Sequence, residues 1–203
     1  MIPKIIHHIW IGPRTAPRHW METWPQKHPA WRYMIWDNDT VFRLKWRNQR
    51  LVNAYQDRSE WRGVADVIRY EILHQRGGFM PGADCECLRP IDELVDEPGI
   101  TAYAVYENEK AAPGLITPVY AAKPGAAFLE AMIEKVSEAS AGEPWRCVGN
   151  LLMQSTYEAK DWPDVKVWPS WTFNPEHYSG LAHTGPEQPY GRQHWGSTKG
   201  KYL

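Results

Sequence analysis

Residues 65–92 read ADVIRYEILHQRGGFMPGADCECLRPID, and the change of period inside this stretch decides the fold. Counting from Trp61, apolar residues recur at Val64, Ala65, Ile68 and Ile72, the spacing of one face of a helix. Gly77-Gly78 ends that helix. Phe79-Met80 then makes a short strand that runs into a Pro81-Gly82 turn, and Asp84 stands just beyond it. A helix that feeds a strand with a carboxylate past its carboxyl end is a piece of an open α/β sheet, and ligands bind at that edge. Asp66 and Arg69 lie three apart on the helix, so they present together. Taken alone, such a pair is usually a solvated ion pair worth a few tenths of a kcal/mol. Its value here comes from the double glycine and acidic turn that follow.

Working outward, Lys4 to Trp10 is rich in isoleucine and stops at Ile11-Gly12-Pro13, which predicts a buried first strand. His19 to Lys27 predicts a short helix that stops before Pro29, and Arg32 to Trp36 a second strand closed by Asp37-Asn38-Asp39. Further strands are predicted at Thr101 to Tyr106, Ile116 to Ala122 and Val165 to Trp168, with helices at Ala126 to Ala139 and Leu151 to Ala159. After Pro169 the chain has no regular period, so residues 170–203 read as a long tail. The fold class is α/β, a mixed sheet flanked by helices, with one domain spanning residues 1–203 of a length typical for a single core.

Composition narrows the function classes. The hydrophobic share is 43%, the charged share 23% and the formal net charge -1, values of an ordinary globular protein with no global pull toward nucleic acid or acidic membranes. The sequence has no run of 18 apolar residues and no signal-peptide pattern, which sets the expectation of a cytoplasmic protein without a transmembrane segment. Cys85, Cys87 and Cys147 are odd in number and lack the spacing of a disulfide framework or a structural zinc site. Twelve Trp and ten Tyr against four Phe are a bias toward flat rings with a polar edge, which suits stacking on sugars and bases as well as packing. Arg43, Lys45, Arg47 and Arg50, interleaved with Phe42 and Trp46, read as the solvated face of a surface helix, with phosphate contact as the alternative.

The 65–92 stretch resembles the glycosyltransferase sugar-binding region of family 32 and its relatives, which include the glycosylating bacterial toxins. The resemblance rests on Asp66, Arg69, Leu73, Gly77, Gly78, Asp84 and Pro90, on the opening IPKIIHHIWIG (residues 2–12) and on the closing RQHWGSTKG (residues 192–200). Where the family carries Asp-x-Asp, this chain has Gly82-Ala83-Asp84, so the first carboxylate is absent. Met80-Pro81 replaces the usual Tyr and its neighbour, and Thr198 stands where Trp is usual.

The resemblance implies a GT-A type, Rossmann-like sheet and a nucleotide-diphosphate sugar, a UDP- or GDP-sugar, as donor. It implies that Trp10 stacks on the base, that Asp66 binds sugar or ribose hydroxyls and that Arg69 meets the donor sugar or phosphate. Gly77, Gly78, Ser197 and Lys199 complete the donor-binding set it implies, and Asn150 falls near the acceptor side. It also implies Mn²⁺ or Mg²⁺ as cofactor, held by Asp84 and His194. A hard divalent cation needs only one or two protein carboxylates beside phosphate oxygens and water, so one aspartate can serve. Loss of the other costs about 10 to 100-fold in affinity. Lys199, Lys201 and Arg192 put positive charge on residues 170–203, which would close over the phosphates as a lid.

Catalysis is then carried by Asp66, Arg69 and Asp84. The resemblance implies retention of anomeric configuration, and no matched carboxylate stands out as a nucleophile, which favours front-face attack driven by positioning and charge neutralisation. Two other readings stand beside the transferase. One is an impaired pseudo-glycosyltransferase that binds nucleotide sugar or glycan, and the other a slow sugar-nucleotide hydrolase. The acceptor, whether glycan, protein, lipid or modified nucleic acid, is not legible.

Overall fold

A computed structural model of the chain describes residues 1–200. Lys201 therefore lies outside the described residues. A sheet of seven strands forms the centre: β1 (Ile5–Ile9), β2 (Arg32–Trp36), β3 (Gly78–Phe79), β5 (Ala102–Asn108), β6 (Ala112–Ile116), β7 (Ala121–Ala122) and β8 (Val165–Trp168). The remaining strands, β4 (Cys85–Cys87) and β9 (Gly191–Gln193), pair with each other in a separate two-stranded ribbon. The helices are α1 (Arg18–Met21), α2 (Thr23–Lys27), α3 (Asn38–Arg43), α4 (Gln49–Asp57), α5 (Trp61–Arg76), α6 (Ala127–Glu138), α7 (Pro144–Cys147) and α8 (Asn150–Glu158). The mixed α/β architecture expected from the sequence is the one observed.

Strand direction fixes where a site can lie. β2 and β3 each run parallel to β1, β7 is antiparallel to β3, β5 is antiparallel to β7, and β8 is parallel to β5. Hence β1, β2, β3, β5 and β8 share one direction, and their carboxyl ends open on one edge. The expected Ile116 to Ala122 strand is interrupted: β6 and β7 both lie antiparallel to β5, and Pro118 between them has no N–H for a ladder. The expected helix over His19 to Lys27 is likewise two short helices meeting at Glu22.

The core lies on both faces of the sheet. Along β5, Ala102 and Ala104 join the cluster shared with α4, α5, α6 and α8, while Tyr103 and Val105 join the opposite cluster with Trp24, Phe79, Trp168 and Phe173. This is the period-two alternation of a strand covered on both sides. Helix α5 is buried almost all round, since Val67, Tyr70, Glu71 and Leu73 are buried together with Val64, Ile68 and Ile72. Tyr70 and Leu73 are therefore core residues. Buried Glu71 accepts the backbone N–H groups of Arg47 (2.7 Å) and Asn48 (3.0 Å) ahead of α4, satisfying donors that the start of a helix leaves open.

Two of the four clustered basic residues hold helices together. Arg47 makes a two-pronged pair with Glu130 of α6 at 2.6 and 2.7 Å, and Arg50 donates to the carbonyls of Ser137 and Ala139 past its end. The cluster is in this respect a structural surface.

Candidate active site

Trp10 follows β1 directly, and its backbone N–H donates to the Trp36 carbonyl at 2.9 Å. Its indole Nε1 donates to the Arg14 carbonyl at 2.7 Å. The loop it begins is clamped by Asn38, which accepts from the Gly12 N–H (2.8 Å) and donates to the Gly12 carbonyl (3.0 Å). Around Trp10 lies a cleft of about 430 Å³, lined also by Arg14, Arg18, Asp37 and Asn38. Asp37 caps α3 through Thr40, whose N–H hydrogen bond holds the carboxyl below its usual range. The cleft joins a flat ring, two cations and polar side chains at the carboxyl ends of β1 and β2. Arg14, Arg18 and Asn38 were not singled out from the sequence, where a turn rich in Pro and Arg carries no pattern.

Asp66 and Arg69 lie one helical turn apart on α5. Burial pushes the Asp66 carboxyl up to about 7, against the opposing pull of Arg69 and Arg62. Its carboxylate accepts no hydrogen bond among the described residues, and a Cβ placed on Gly149 would come within 3.0 Å of its Oδ2. Arg69 Nη1 donates to the carbonyls of Met80 (2.8 Å) and Val119 (3.2 Å), tying the helix to the end of β3 and to the β6–β7 connection. The buried Nε of Arg69 has no partner among the described residues.

Gly77 and Gly78 are placed differently from a ligand loop. Both are buried at the start of β3, with φ of 62° and 104°. A Cβ at Gly77 would meet Pro124 Cδ at 2.6 Å, and one at Gly78 the Ile5 carbonyl at 2.6 Å. They let α5 turn into β3 against β1, which is what aims Asp84 at the carboxyl edge.

Asp84 is 8% exposed and ties down the tail. Gln193 Nε2 donates to its Oδ1 at 2.7 Å, the Gly196 N–H to its Oδ2 at 2.7 Å, and the His194 N–H to its carbonyl at 2.8 Å. The His194 ring makes no hydrogen bond or ion pair with the Asp84 carboxylate among the described residues. Its Nε2 pairs with Glu86 Oε2 at 3.1 Å, and the ring stacks on Trp20 at 4.4 Å and 8°. Trp20 belongs to α1, which also supplies Arg18 to the cleft, so α1 links the cleft with the tail. Glu86 and Gln193 were missed in the sequence because nothing there shows that β9 returns to β4.

Ser197 is exposed in the turn that follows. Lys199 reaches Glu176 at 3.1 Å, and Trp195, at φ 55°, donates its Nε1 to the Glu176 carbonyl at 2.7 Å. Left-handed backbone costs a non-glycine residue about 1 to 2 kcal/mol, so the tail is held here by contacts that outweigh strain. As for a divalent cation, both Asp84 oxygens already receive N–H donors. Among the described residues no three His, Cys, Asp or Glu side chains gather as a cation cage. Asp84 alone would be left to hold a cation, through the second lone pair of each oxygen with donor phosphates and water as the other ligands, and no step below is routed through one.

Residues 17–100 match the family described as glycosyltransferase sugar-binding region containing DXD motif. The chain is 24% identical over 194 residues to inositol phosphoceramide mannosyltransferase 3 of Schizosaccharomyces pombe, a match covering 90% of this chain and 52% of that protein. The chain thus spans about half the length of that relative. Among solved structures it is similar to PaToxG glycosyltransferase, with TM-score 0.59 and 14% identity over 78% of this chain and 69% of the other. It is also similar to a glycosyltransferase involved in the glycosylation of the major capsid of PBCV-1, with TM-score 0.54 and 13% identity over 97% and 95%. The family resemblance and the fold class read from the sequence are both borne out. No helix among the described residues is long and apolar enough to cross a membrane.

Proposed function

We propose that this chain, which carries the sugar-binding region of the DXD-containing glycosyltransferases over residues 17–100, transfers a sugar from a nucleoside-diphosphate sugar to an acceptor. The observation that supports the reading is that the aromatic cleft at Trp10 follows β1, while Arg69 is tied to Met80 at the end of the parallel strand β3, beyond which Asp84 anchors the tail. In this reading Trp10 stacks on the base, and Arg14 and Arg18 attract the diphosphate. Asp66, whose carboxylate accepts no hydrogen bond among the described residues, takes sugar or ribose hydroxyls. Arg69 meets the growing charge on the leaving group with the donors that Met80 and Val119 leave unused. Ser197 and Lys199 sit on the lid that closes the donor in.

Retention of configuration belongs to the same reading, with front-face attack and catalysis by positioning and charge neutralisation. A cation at Asp84 would share the carboxylate with the Gln193 amide and the Gly196 N–H. That same feature, together with Gly82, favours a second reading in which the chain binds donor without turning it over.

The test is calorimetric binding and release of nucleoside diphosphate from a panel of UDP- and GDP-sugars, with GDP-mannose first because the yeast relative is named a mannosyltransferase. Binding with release, both lost in Asp66→Asn, is the expected result. Binding without release in any buffer leaves the second reading standing. No binding at all overturns both.

A further inference from the structure

Glu107 stands near the end of β5, on the same carboxyl edge as Trp10 and Asp84, and the donor reading does not use it. Its side chain is 10% exposed. Asn150 Nδ2 donates to its Oε2 at 2.6 Å, and His177 Nε2 lies 3.3 Å from its Oε1. The other ring nitrogen of His177 pairs with Ser179 Oγ at 2.7 Å, and no Lys or Arg forms an ion pair with Glu107 among the described residues. A carboxylate offers about four acceptor sites, and these two contacts fill half of them. Burying a carboxylate so incompletely satisfied is costly, which points to a partner that arrives from outside.

The surroundings say what kind of partner. Asn150 follows Gly149, where a Cβ would stand 3.0 Å from Asp66 Oδ2 and 2.9 Å from the Trp145 Cα. Gly149 and Asn150 therefore have the donor-side carboxylate on one side and Glu107 on the other. Trp145 is 48% exposed and Tyr178 47%, and the Tyr178 ring lies 3.9 Å from that of His177. Arg146 lies 5.5 Å over the Trp145 ring, so the half-exposed Tyr178 ring beside the buried His177–Glu107 pair is the surface that suits the flat apolar face and hydroxyl rim of a sugar.

We propose that Glu107 is the proton acceptor on the acceptor side, and that the acceptor is a carbohydrate hydroxyl seated beside Tyr178. This rests on the glycosyltransferase reading. The acceptor oxygen bonds to the anomeric carbon while the bond from that carbon to the diphosphate oxygen breaks, its electron pair leaving with the nucleoside diphosphate. The hydroxyl proton passes to Glu107 and then to solvent. Asn150 and His177 are positioning residues that hold the carboxylate in place.

The test compares wild type, Glu107→Gln and His177→Gln. It follows nucleoside diphosphate release with methyl α-mannoside, with methyl β-galactoside and with water as the only acceptor, over about pH 5 to 9. Glu107→Gln keeps the shape and an acceptor for Asn150, so UDP or GDP binding by calorimetry and donor KM stay as in wild type. Its kcat falls about 10² to 10⁴-fold, and the acidic limb of the pH profile disappears. His177→Gln keeps the limb but moves its midpoint. Should Glu107→Gln fail to fold, Glu107→Asp keeps the charge and is expected to keep the limb with reduced kcat. Wild-type turnover with kcat of Glu107→Gln within about threefold of it, or with its acidic limb intact, overturns this assignment alone. Wild type that neither binds nucleotide nor releases it overturns the glycosyltransferase reading itself.

Discussion

Gln193 donates its amide to Asp84 Oδ1 at 2.7 Å from beside the space that a side chain at position 82 would fill. A Cβ on Gly82 would stand 3.0 Å from Asp84 Oδ1 and 3.3 Å from Gln193 Oε1, and that Oε1 is buried without a partner among the described residues. The missing carboxylate and the returning tail are therefore one adjustment: with no second negative charge beside Asp84, an amide and a backbone N–H satisfy it.

Gly82→Asp should then destabilise the chain. A second carboxylate beside Asp84 lacks a donor, and Gln193 is crowded, at a cost of about 1 to 3 kcal/mol. Adding Gln193→Ala opens the space and leaves two aspartates two residues apart, the arrangement a divalent cation accepts. Thermal melts with Mn²⁺ and with EDTA check this. The double variant is expected to gain stability with Mn²⁺, while wild type melts within about one degree under both conditions. A large Mn²⁺ stabilisation of wild type would mean that Asp84 holds the cation without a second aspartate.

The Asn38 clamp on Gly12 gives a second expectation. Asn38→Ala removes both hydrogen bonds that fix the loop after Trp10, each worth about 0.5 to 1.5 kcal/mol. Because the clamp lies on the exposed rim, the loss should appear mainly as lower nucleotide affinity, about tenfold, with little change in melting temperature. Calorimetry with UDP and GDP decides, and equal affinities would remove the loop from the donor site.

How much was legible follows from where the information sits. β1, β2, α5, α6, α8 and β8 emerge from local period, because each buries a stripe or an alternating face. Asp66, Arg69 and Asp84 emerge because a helix, a glycine pair and a strand occur in one continuous stretch. Glu86, Gln193, Glu107 and His177 do not. Each acquires meaning only from a partner across the fold, as Gln193 does from Asp84 and His177 from Glu107. Residues 170–200 show the limit most clearly. They lack periodicity, yet Trp195, Gly196 and Lys199 have fixed partners in Glu176 and Asp84.

Asp66 carries a stability cost with a definite sign. Its folded value, raised to about 7 from 3.8, means that the folded state holds a proton which the unfolded state has released. Its contribution is complete below 3.8 and is lost as pH rises toward 7. Asp66→Asn removes that loss, so the variant should gain on wild type in melting temperature as the buffer moves from about pH 5 to pH 8, while donor binding disappears. A constant difference across that range would place the carboxylate in a more solvated setting.

His7 and His8 oppose that trend, and the sum can be measured. His7 is lowered to about 4 and His8 to about 3, in both cases first by burial. Trp36 Nε1 donates to His7 Nδ1 at 3.1 Å, which leaves Nε2 to donate to the Gly77 carbonyl at 2.9 Å, so His7 is neutral with its tautomer fixed. Below 6.5 the unfolded chain protonates both rings and the folded chain does not, so stability falls with falling pH. Between about pH 6.5 and 4, His7 and His8, joined by His28, which burial also lowers, pull one way and Asp66 the other, a net of at least about one proton, or about 1.4 kcal/mol per pH unit. Asp92 and Glu130, held down by Lys4 and Arg47 respectively, add to the loss only below about pH 4.5. Urea unfolding across this range should show that slope in wild type. The slope should steepen in Asp66→Asn and become shallower in His8→Gln. A wild-type slope near zero would mean that His7 or His8 is open to water in the folded protein.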